Sequence, residues 1–231
     1  MNLNTGMLLF QLPNDTGPIY TETLMGRIPV EPFNTFSNLV FLFIVIFWGV
    51  RVWKNRNDQR YLSLVLPVLF IGWIGGTLFH GTRSHEIWLL MDWVPIVLLC
   101  FSAVVYLIFR LWENWSMRIM VTLLILGTSL IVRNLPFPHQ VSITIGYIVT
   151  AITLLVPLLI YLFRTGYRNV GDVVLAFTFF SVAIIFRVLD RRQDFSDIGT
   201  HWLWHLFGGI AVFFIIRYLY EDRKVKLPVP Y

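Results

Sequence analysis

Seven stretches of the sequence are each about 20 residues long and almost continuously apolar. A helix needs about 20 apolar residues to cross a hydrocarbon core about 30 Å thick, whereas a lipid-facing β-strand would alternate apolar and polar residues. The stretches are residues 36–53, 61–79, 87–109, 117–135, 141–163, 170–189 and 199–220. The sequence therefore predicts an all-α integral membrane protein, folded as a seven-transmembrane-helix bundle.

The composition excludes a water-soluble enzyme and a disordered chain. The hydrophobic set makes up 57% of the residues and charged residues only 13%, whereas a soluble domain carries roughly a quarter charged residues. Disordered chains are poor in the aromatic and β-branched residues that are abundant here. The loops are short and no composition shift divides the chain, so residues 1–231 are predicted to form a single membrane domain.

The net charge of +5 indicates a membrane orientation and does not indicate a nucleic-acid partner. Two thirds of the Lys and Arg residues fall in the loops after the first, third and fifth stretches and in the C-terminal tail. Basic residues collect on the cytoplasmic side of membrane proteins. We therefore expect a non-cytoplasmic N-terminal segment, residues 1–35, and a cytoplasmic C-terminal tail, residues 221–231.

Four ionisable residues inside the predicted spans are the strongest functional signal, because such groups are costly in lipid. His80 ends the second span, Asp92 lies in the third, and His201 and His205 lie near the start of the seventh. The predicted topology brings all four to the non-cytoplasmic end of the bundle. Residues four apart share one helix face, so His201 and His205 can bind one metal ion, and His80 would complete a three-histidine zinc site.

Simpler interpretations of these residues stay open at the sequence level. His201 and His205 stand beside Trp202 and Trp204, so they could belong to an interfacial aromatic belt. A haem site is disfavoured, because it needs axial histidines from opposing helices. Asp92 could be a buried partner of an arginine or of a helix terminus, or it could take a proton from a metal-bound water.

The glycines of two spans and the charged residues of one loop are explained by helix packing and by solvation. Glycines in the second and seventh spans predict close helix packing. The acidic and basic residues between the sixth and seventh spans predict a solvated loop of mixed charge. The glycines are Gly72, Gly75, Gly76, Gly208 and Gly209. The charged residues are Asp190, Asp194, Asp197, Arg187, Arg191 and Arg192.

Three blocks of the sequence resemble the alkaline ceramidase family, within a superfamily of seven-span membrane hydrolases that includes adiponectin receptor-like proteins. The blocks occur in the family's order along the chain. They are residues 31–38, which carry Glu31, Asn34, Thr35, Ser37 and Asn38; residues 75–80 with 89–95, which carry His80 and Asp92; and residues 201–209, which follow an Asp190-Arg191 pair.

This resemblance implies an activity and roles for individual residues. It implies that His80, His201 and His205 bind zinc and that Asp92 assists a zinc-bound water. The implied reaction is hydrolysis of the amide of ceramide or another N-acyl lipid, which releases a fatty acid and an amine such as a sphingoid base. The family usually has a serine one helical turn before the first zinc histidine. That position is Gly76 here, and Thr77 is the nearest hydroxyl, so Thr77 is the candidate donor to the substrate oxygen.

The resemblance also makes calcium binding possible and leaves a receptor as an alternative to an enzyme. Animal members of the family bind calcium through an acidic N-terminal cluster, which Glu31 and Glu22 match in part. The alternative for these two residues is a solvated N-terminal segment. The absence of the serine weakens the oxyanion site, which keeps a lipid-sensing receptor with structural zinc as the alternative. A transporter is disfavoured, because the sequence shows neither repeat symmetry nor paired broken helices.

Overall fold

The computed structural model describes residues 13–136, 139–190 and 196–222, without the side chains of residues 133, 139–148, 150 and 151. Within these ranges all regular structure is helical. The helices are α1 (Pro32–Ser37), α2 (Leu39–Lys54), α3 (Arg60–Thr82), α4 (Glu86–Leu111), α5 (Trp115–Arg133), α6 (His139–Arg164), α7 (Val170–Leu189) and α8 (His201–Asp222). Most of the predicted C-terminal tail, from residue 223 onward, and residues 191–195 of the predicted charged loop lie outside the described residues.

Each predicted apolar stretch coincides with a helix, and the first is divided at Asn38 into α1 and α2. Six helical stretches of the described chain are long and apolar enough to cross a membrane, with α1 and α2 forming one of them. In α6 the described apolar stretch, Ile152–Arg164, is shorter. Large apolar side chains on the outside of the bundle, such as Leu64 and Phe163 at 72% and 70% exposure, suit contact with lipid. The chain is a multi-pass helical membrane protein.

The helices pack as a series of neighbours. In the described residues α7 packs on α8, α8 on α2, α2 on α3, α3 on α4, α4 on α6 and α6 on α5, while the short α1 contacts both α3 and α8. The buried apolar core lies between these helices, towards the end of the bundle away from His201. It includes Trp48, Leu62, Leu107, Tyr161 and Ile216. Helix α1 therefore lies between the two helices that carry the three histidines.

Glycines of α3 and α8 allow close helix packing, as the sequence predicts. A methyl group built on Gly75 would lie 2.3 Å from the Met91 backbone of α4, and one on Gly209 would lie 2.5 Å from Val40 of α2. Gly72 likewise faces Pro95 of α4, whereas a methyl group built on Gly208 would meet no atom of the described residues within 4 Å. Gly75 and Gly209 therefore bring α4 close to α3 and α2 close to α8.

A buried polar cluster fixes the other end of α8. Asp222 is 2% exposed and accepts hydrogen bonds from the hydroxyls of Tyr161 and Tyr106 and from Arg110 Nε. These donors come from α4 and α6, so the carboxylate ties three helices together. At about 1.5 Å per helical residue, this cluster lies about 30 Å along α8 from His201. The two polar centres of the bundle are therefore at opposite ends.

Candidate metal centre

The three predicted histidines meet in the interior. One ligand nitrogen from each of His80, His201 and His205 lies within 4.8 Å of the others. His80 is fully buried, and His201 and His205 are 4% and 5% exposed. Their ring centroids are 4.7 to 5.4 Å apart. A buried group of three imidazoles is able to hold a metal ion, whereas an interfacial aromatic belt would leave the rings at the surface.

The hydrogen bond of His80 leaves one of its nitrogens free to bind a metal. His80 Nδ1 lies 2.5 Å from Glu31 Oε2, and an ionised carboxylate only accepts hydrogen bonds. Nδ1 therefore carries the proton, and Nε2 presents a lone pair. Nε2 is buried and has no hydrogen-bond partner among the described residues. A carboxylate behind a metal-binding histidine fixes the tautomer and raises the basicity of the ligand.

His205 is oriented in the same way by α1. Its Nδ1 lies 3.2 Å from the carbonyl oxygen of Asn34 and 2.8 Å from Ser37 Oγ. Because the Asn34 carbonyl only accepts, and the Ser37 hydroxyl itself donates to that carbonyl, Nδ1 is the protonated nitrogen. The Nε2 lone pair of His205 is therefore available to a metal. The short α1 thus supports two of the three ligands, since Glu31 immediately precedes it.

His201 is held by the start of α8 and by an aromatic ring. The Asp190 carboxylate accepts hydrogen bonds from the backbone N–H groups of Thr200 and His201, at 2.6 and 3.0 Å. It therefore caps α8, which corrects the prediction of a solvated residue. The ring of Tyr20 stacks on His201 with centroids 3.9 Å apart and an interplanar angle of 25°. His201 Nδ1 is buried without a hydrogen-bond partner in the described chain.

A glycine is required where α8 begins. Gly199 has φ +72°, and a Cβ there would lie 2.5 Å from Asp190 Oδ1 and 2.8 Å from Thr21 Cβ. Both the left-handed backbone and the lack of space favour glycine. This tight approach allows the Asp190 carboxylate to reach the first N–H groups of the helix.

Asp92 approaches the centre from α4, next to Gly76. A methyl group built on Gly76 would lie 2.5 Å from Asp92 Oδ1 and 3.0 Å from Asn38 Oδ1. The serine that the family resemblance leads one to expect at Gly76 would therefore have to displace this carboxylate. The Thr77 hydroxyl is buried without a hydrogen-bond partner among the described residues.

The carboxylate oxygens of Glu22 and Glu31 accept hydrogen bonds from protein groups. The two oxygens of Glu22 accept the backbone N–H groups of Phe33 and Asn34, at 2.8 and 2.6 Å, and so bind the start of α1. Glu31 contacts His80 through one oxygen, and Arg83 and the Thr23 hydroxyl through the other. Calcium needs six to eight oxygen ligands, whereas these oxygens are already bound by N–H and O–H groups.

The pKa values of the N-terminal groups follow from these contacts. Burial alone would raise the pKa of Glu31, but the hydrogen bond and field of His80, the Thr23 hydroxyl and the charge of Arg83 hold it below its ordinary value. Burial would lower the pKa of Arg83, but Asp15 and Glu31 raise it above its ordinary value. Burial raises the pKa of Glu22, although the N–H groups of Asn34 and Phe33 oppose the shift. Glu31 and Arg83 therefore form a charged pair at neutral pH.

Sequence reasoning missed two residues of this centre and misassigned a third. Tyr20 and Arg83 carry no motif, and each lies outside the apolar stretches, so their contacts depend on how the N-terminal segment folds back. Asp190 directly follows α7 and reaches N–H groups 10 and 11 residues further along the chain, so no local capping pattern points to it. The structure also brings Glu31 to His80, a contact that the sequence analysis did not predict.

Comparison with known proteins supports a relationship with the family that the motifs resemble. No protein-family model matches the chain. Alkaline ceramidase 3 of Mus musculus is 24% identical to it over 216 residues, an alignment that covers 85% of this chain and 79% of that protein. The alignment therefore spans most of both chains. Together with the buried histidine centre, it shows that the chain is related to the alkaline ceramidase family.

Proposed function

We propose that this protein is a zinc-dependent amide hydrolase that cleaves ceramide or a related N-acyl lipid into a fatty acid and an amine. The observation that carries the proposal is the buried group of three histidines, two of which have their Nδ1 protons bound by protein acceptors. The similarity to a ceramidase supports the substrate class. We further propose seven membrane spans, with the centre at the non-cytoplasmic end and the C-terminus in the cytoplasm.

Zinc is the metal that suits this donor set. Imidazole ligands are typical of zinc, and three protein ligands leave the fourth tetrahedral position open in catalytic sites. When bound, zinc polarises the substrate carbonyl and lowers the pKa of a bound water to about 7. The protein's contribution is to hold neutral imidazoles at fixed angles, which Glu31, Asn34 and Tyr20 do through their contacts with the three rings.

Asp92 and Thr77 are the proposed catalytic groups besides the metal ligands. The carboxylate of Asp92 lies near His80, so it is able to accept the proton of the attacking water and to return it to the nitrogen that leaves. The nitrogen must be protonated as the C–N bond breaks, since a deprotonated amine is a poor leaving group. The unpartnered hydroxyl of Thr77 is the candidate donor to the carbonyl oxygen of the substrate.

The function is tested by incubating the purified protein with a panel of N-acyl lipids that differ in head group and acyl length. We expect equal amounts of fatty acid and amine from at least one ceramide-like lipid, measured by mass spectrometry. The receptor alternative predicts stoichiometric zinc and no product from any lipid of the panel. That alternative is not favoured, because the similar curated protein is a ceramidase.

Removing the aromatic ring that stacks on His201 is expected to weaken the centre. A stacked aromatic pair contributes about 0.5–1.5 kcal/mol, which corresponds to a change of up to about tenfold. We therefore expect Tyr20→Ala to lower kcat/KM about tenfold, and Tyr20→Phe, which keeps the ring, to remain near wild type. Steady-state kinetics on the best substrate of the panel measure both variants. An equal loss in the two would assign the effect to the Tyr20 hydroxyl and contradict a role for the ring.

A further inference from the structure

The guanidinium of Arg83 is enclosed by oxygens of the N-terminal segment, which we define as residues 13–31. It donates to both oxygens of Asp15 at 2.6 and 2.9 Å, to Glu31 Oε1 at 2.6 Å, and to the backbone oxygens of Pro18 and Gly17 at 3.0 and 3.3 Å. The side chain is completely buried, and Phe79 covers it with its ring centroid 4.6 Å from Cζ. A buried cation with five oxygen contacts is paired well enough to remain charged.

The backbone of Arg83 adopts an unusual conformation to make these contacts. Arg83 follows the last residue of α3 with φ +48° and ψ +33°, the left-handed conformation that ends many helices and that glycine usually occupies. A residue with a Cβ adopts it rarely, so an arginine there needs a compensating interaction. The five oxygen contacts of the guanidinium are that interaction.

The same contacts tie the N-terminal segment to the metal centre. Glu31 binds Arg83 through one carboxylate oxygen and His80 through the other. The backbone N–H groups of Val30 and Glu31 donate to the carbonyl oxygens of Gly81 and His80, respectively. The backbone N–H of Asn14 donates to the carbonyl oxygen of Arg83. Both ends of the segment are thus bound to the end of α3, and Tyr20 lies between them, against His201.

We infer that the charged side chain of Arg83 binds the N-terminal segment to the metal centre and positions His80 through Glu31. Because the guanidinium supplies the positive charge, the assembled centre needs no calcium ion. Arg83 is a positioning residue, because it acts on His80 through Glu31 and not by a direct hydrogen bond. The oxygens that a calcium ion would need face the guanidinium instead. The inference goes beyond the proposed reaction, since it concerns how the centre is assembled.

The test compares the wild type with Arg83→Ala, Arg83→Lys and the control Arg60→Gln, which changes an exposed arginine at the other end of α3. Hydrogen exchange of residues 13–31 and the zinc dissociation constant are measured at calcium concentrations from zero to about 1 mM. The upper limit corresponds to the dissociation constants of weak extracellular calcium sites. For Arg83→Ala we expect exchange to become at least about tenfold faster and zinc affinity to fall about 10- to 100-fold. Arg83→Lys should fall between Arg83→Ala and wild type, because it keeps a charge but not the planar fork.

Calcium should change neither quantity in the wild type or in Arg60→Gln. Wild-type exchange or zinc affinity that responds to calcium would overturn the inference, as would an Arg83→Ala protein that exchanges and binds zinc like the wild type. If Arg83→Ala does not fold, the Arg83→Lys variant and the calcium titration of the wild type still test the inference. Neither measurement uses a lipid substrate, so an absence of hydrolysis would contradict the proposed function and leave this inference standing.

Discussion

Replacing any one of His80, His201 and His205 by alanine is expected to remove the bound zinc and to abolish amide hydrolysis. Each ring contributes one of three buried ligand nitrogens, and two imidazoles do not form a closed site. A catalytic metal stabilises the transition state by several kcal/mol, and a loss of about 4 kcal/mol corresponds to about a thousandfold in rate. Metal content by mass spectrometry and product formation on the best lipid substrate measure the two effects.

The control for this prediction is His85→Asn. His85 is exposed and caps α4 by accepting the backbone N–H of Ile87, and asparagine is able to cap in the same way. This variant should keep both zinc and activity. Full zinc content in His80→Ala, His201→Ala and His205→Ala would contradict the assignment of the metal centre.

Asp92→Asn is expected to keep the zinc and to lose turnover. Asparagine has nearly the same shape, so the packing against Gly76 is preserved, but its amide does not accept a proton near neutral pH. General acid-base catalysis contributes about 10²- to 10⁴-fold, and the loss in kcat should fall in that range. Steady-state kinetics and metal analysis of the same preparation measure both quantities.

The matched control is Asp197→Asn, which removes the charge of an exposed aspartate in the segment before α8. It should behave as the wild type. If Asp92→Asn has an unchanged rate, Asp92 has a structural role only, as a carboxylate packed between α3 and α4.

The helices and the histidine centre could be predicted from the sequence because each depends on local information. Continuous apolar stretches predict spans whatever their partners, and the scarcity of charge inside them draws attention to His80, Asp92, His201 and His205. The spacing of His201 and His205 depends only on the helical period. Topology then placed His80 at the same end, and the structure brings its ring within 5.4 Å of both others.

The supporting residues could not be predicted, because their roles depend on long-range packing. Gly75 and Gly209 signal a close approach, but the sequence does not say which helix approaches, and they face α4 and α2. The family resemblance made Glu31 a possible calcium ligand, with a solvated segment as the alternative, because the sequence does not show which partner an acidic residue has. Its partners are His80 and Arg83, which lie 49 and 52 residues away in the chain. Only the fold of the N-terminal segment reveals that choice.

The coordination of zinc in the purified wild-type protein is the most direct test of the central claim, which is that three histidines hold a catalytic metal. X-ray absorption at the zinc edge, with metal quantification, should give one zinc per chain with imidazole nitrogens at about 2.0–2.1 Å. The signal of those imidazoles should be lost with the metal in His205→Ala. A purified, active wild-type protein that holds no zinc, or whose zinc lacks imidazole ligands, would contradict the claim.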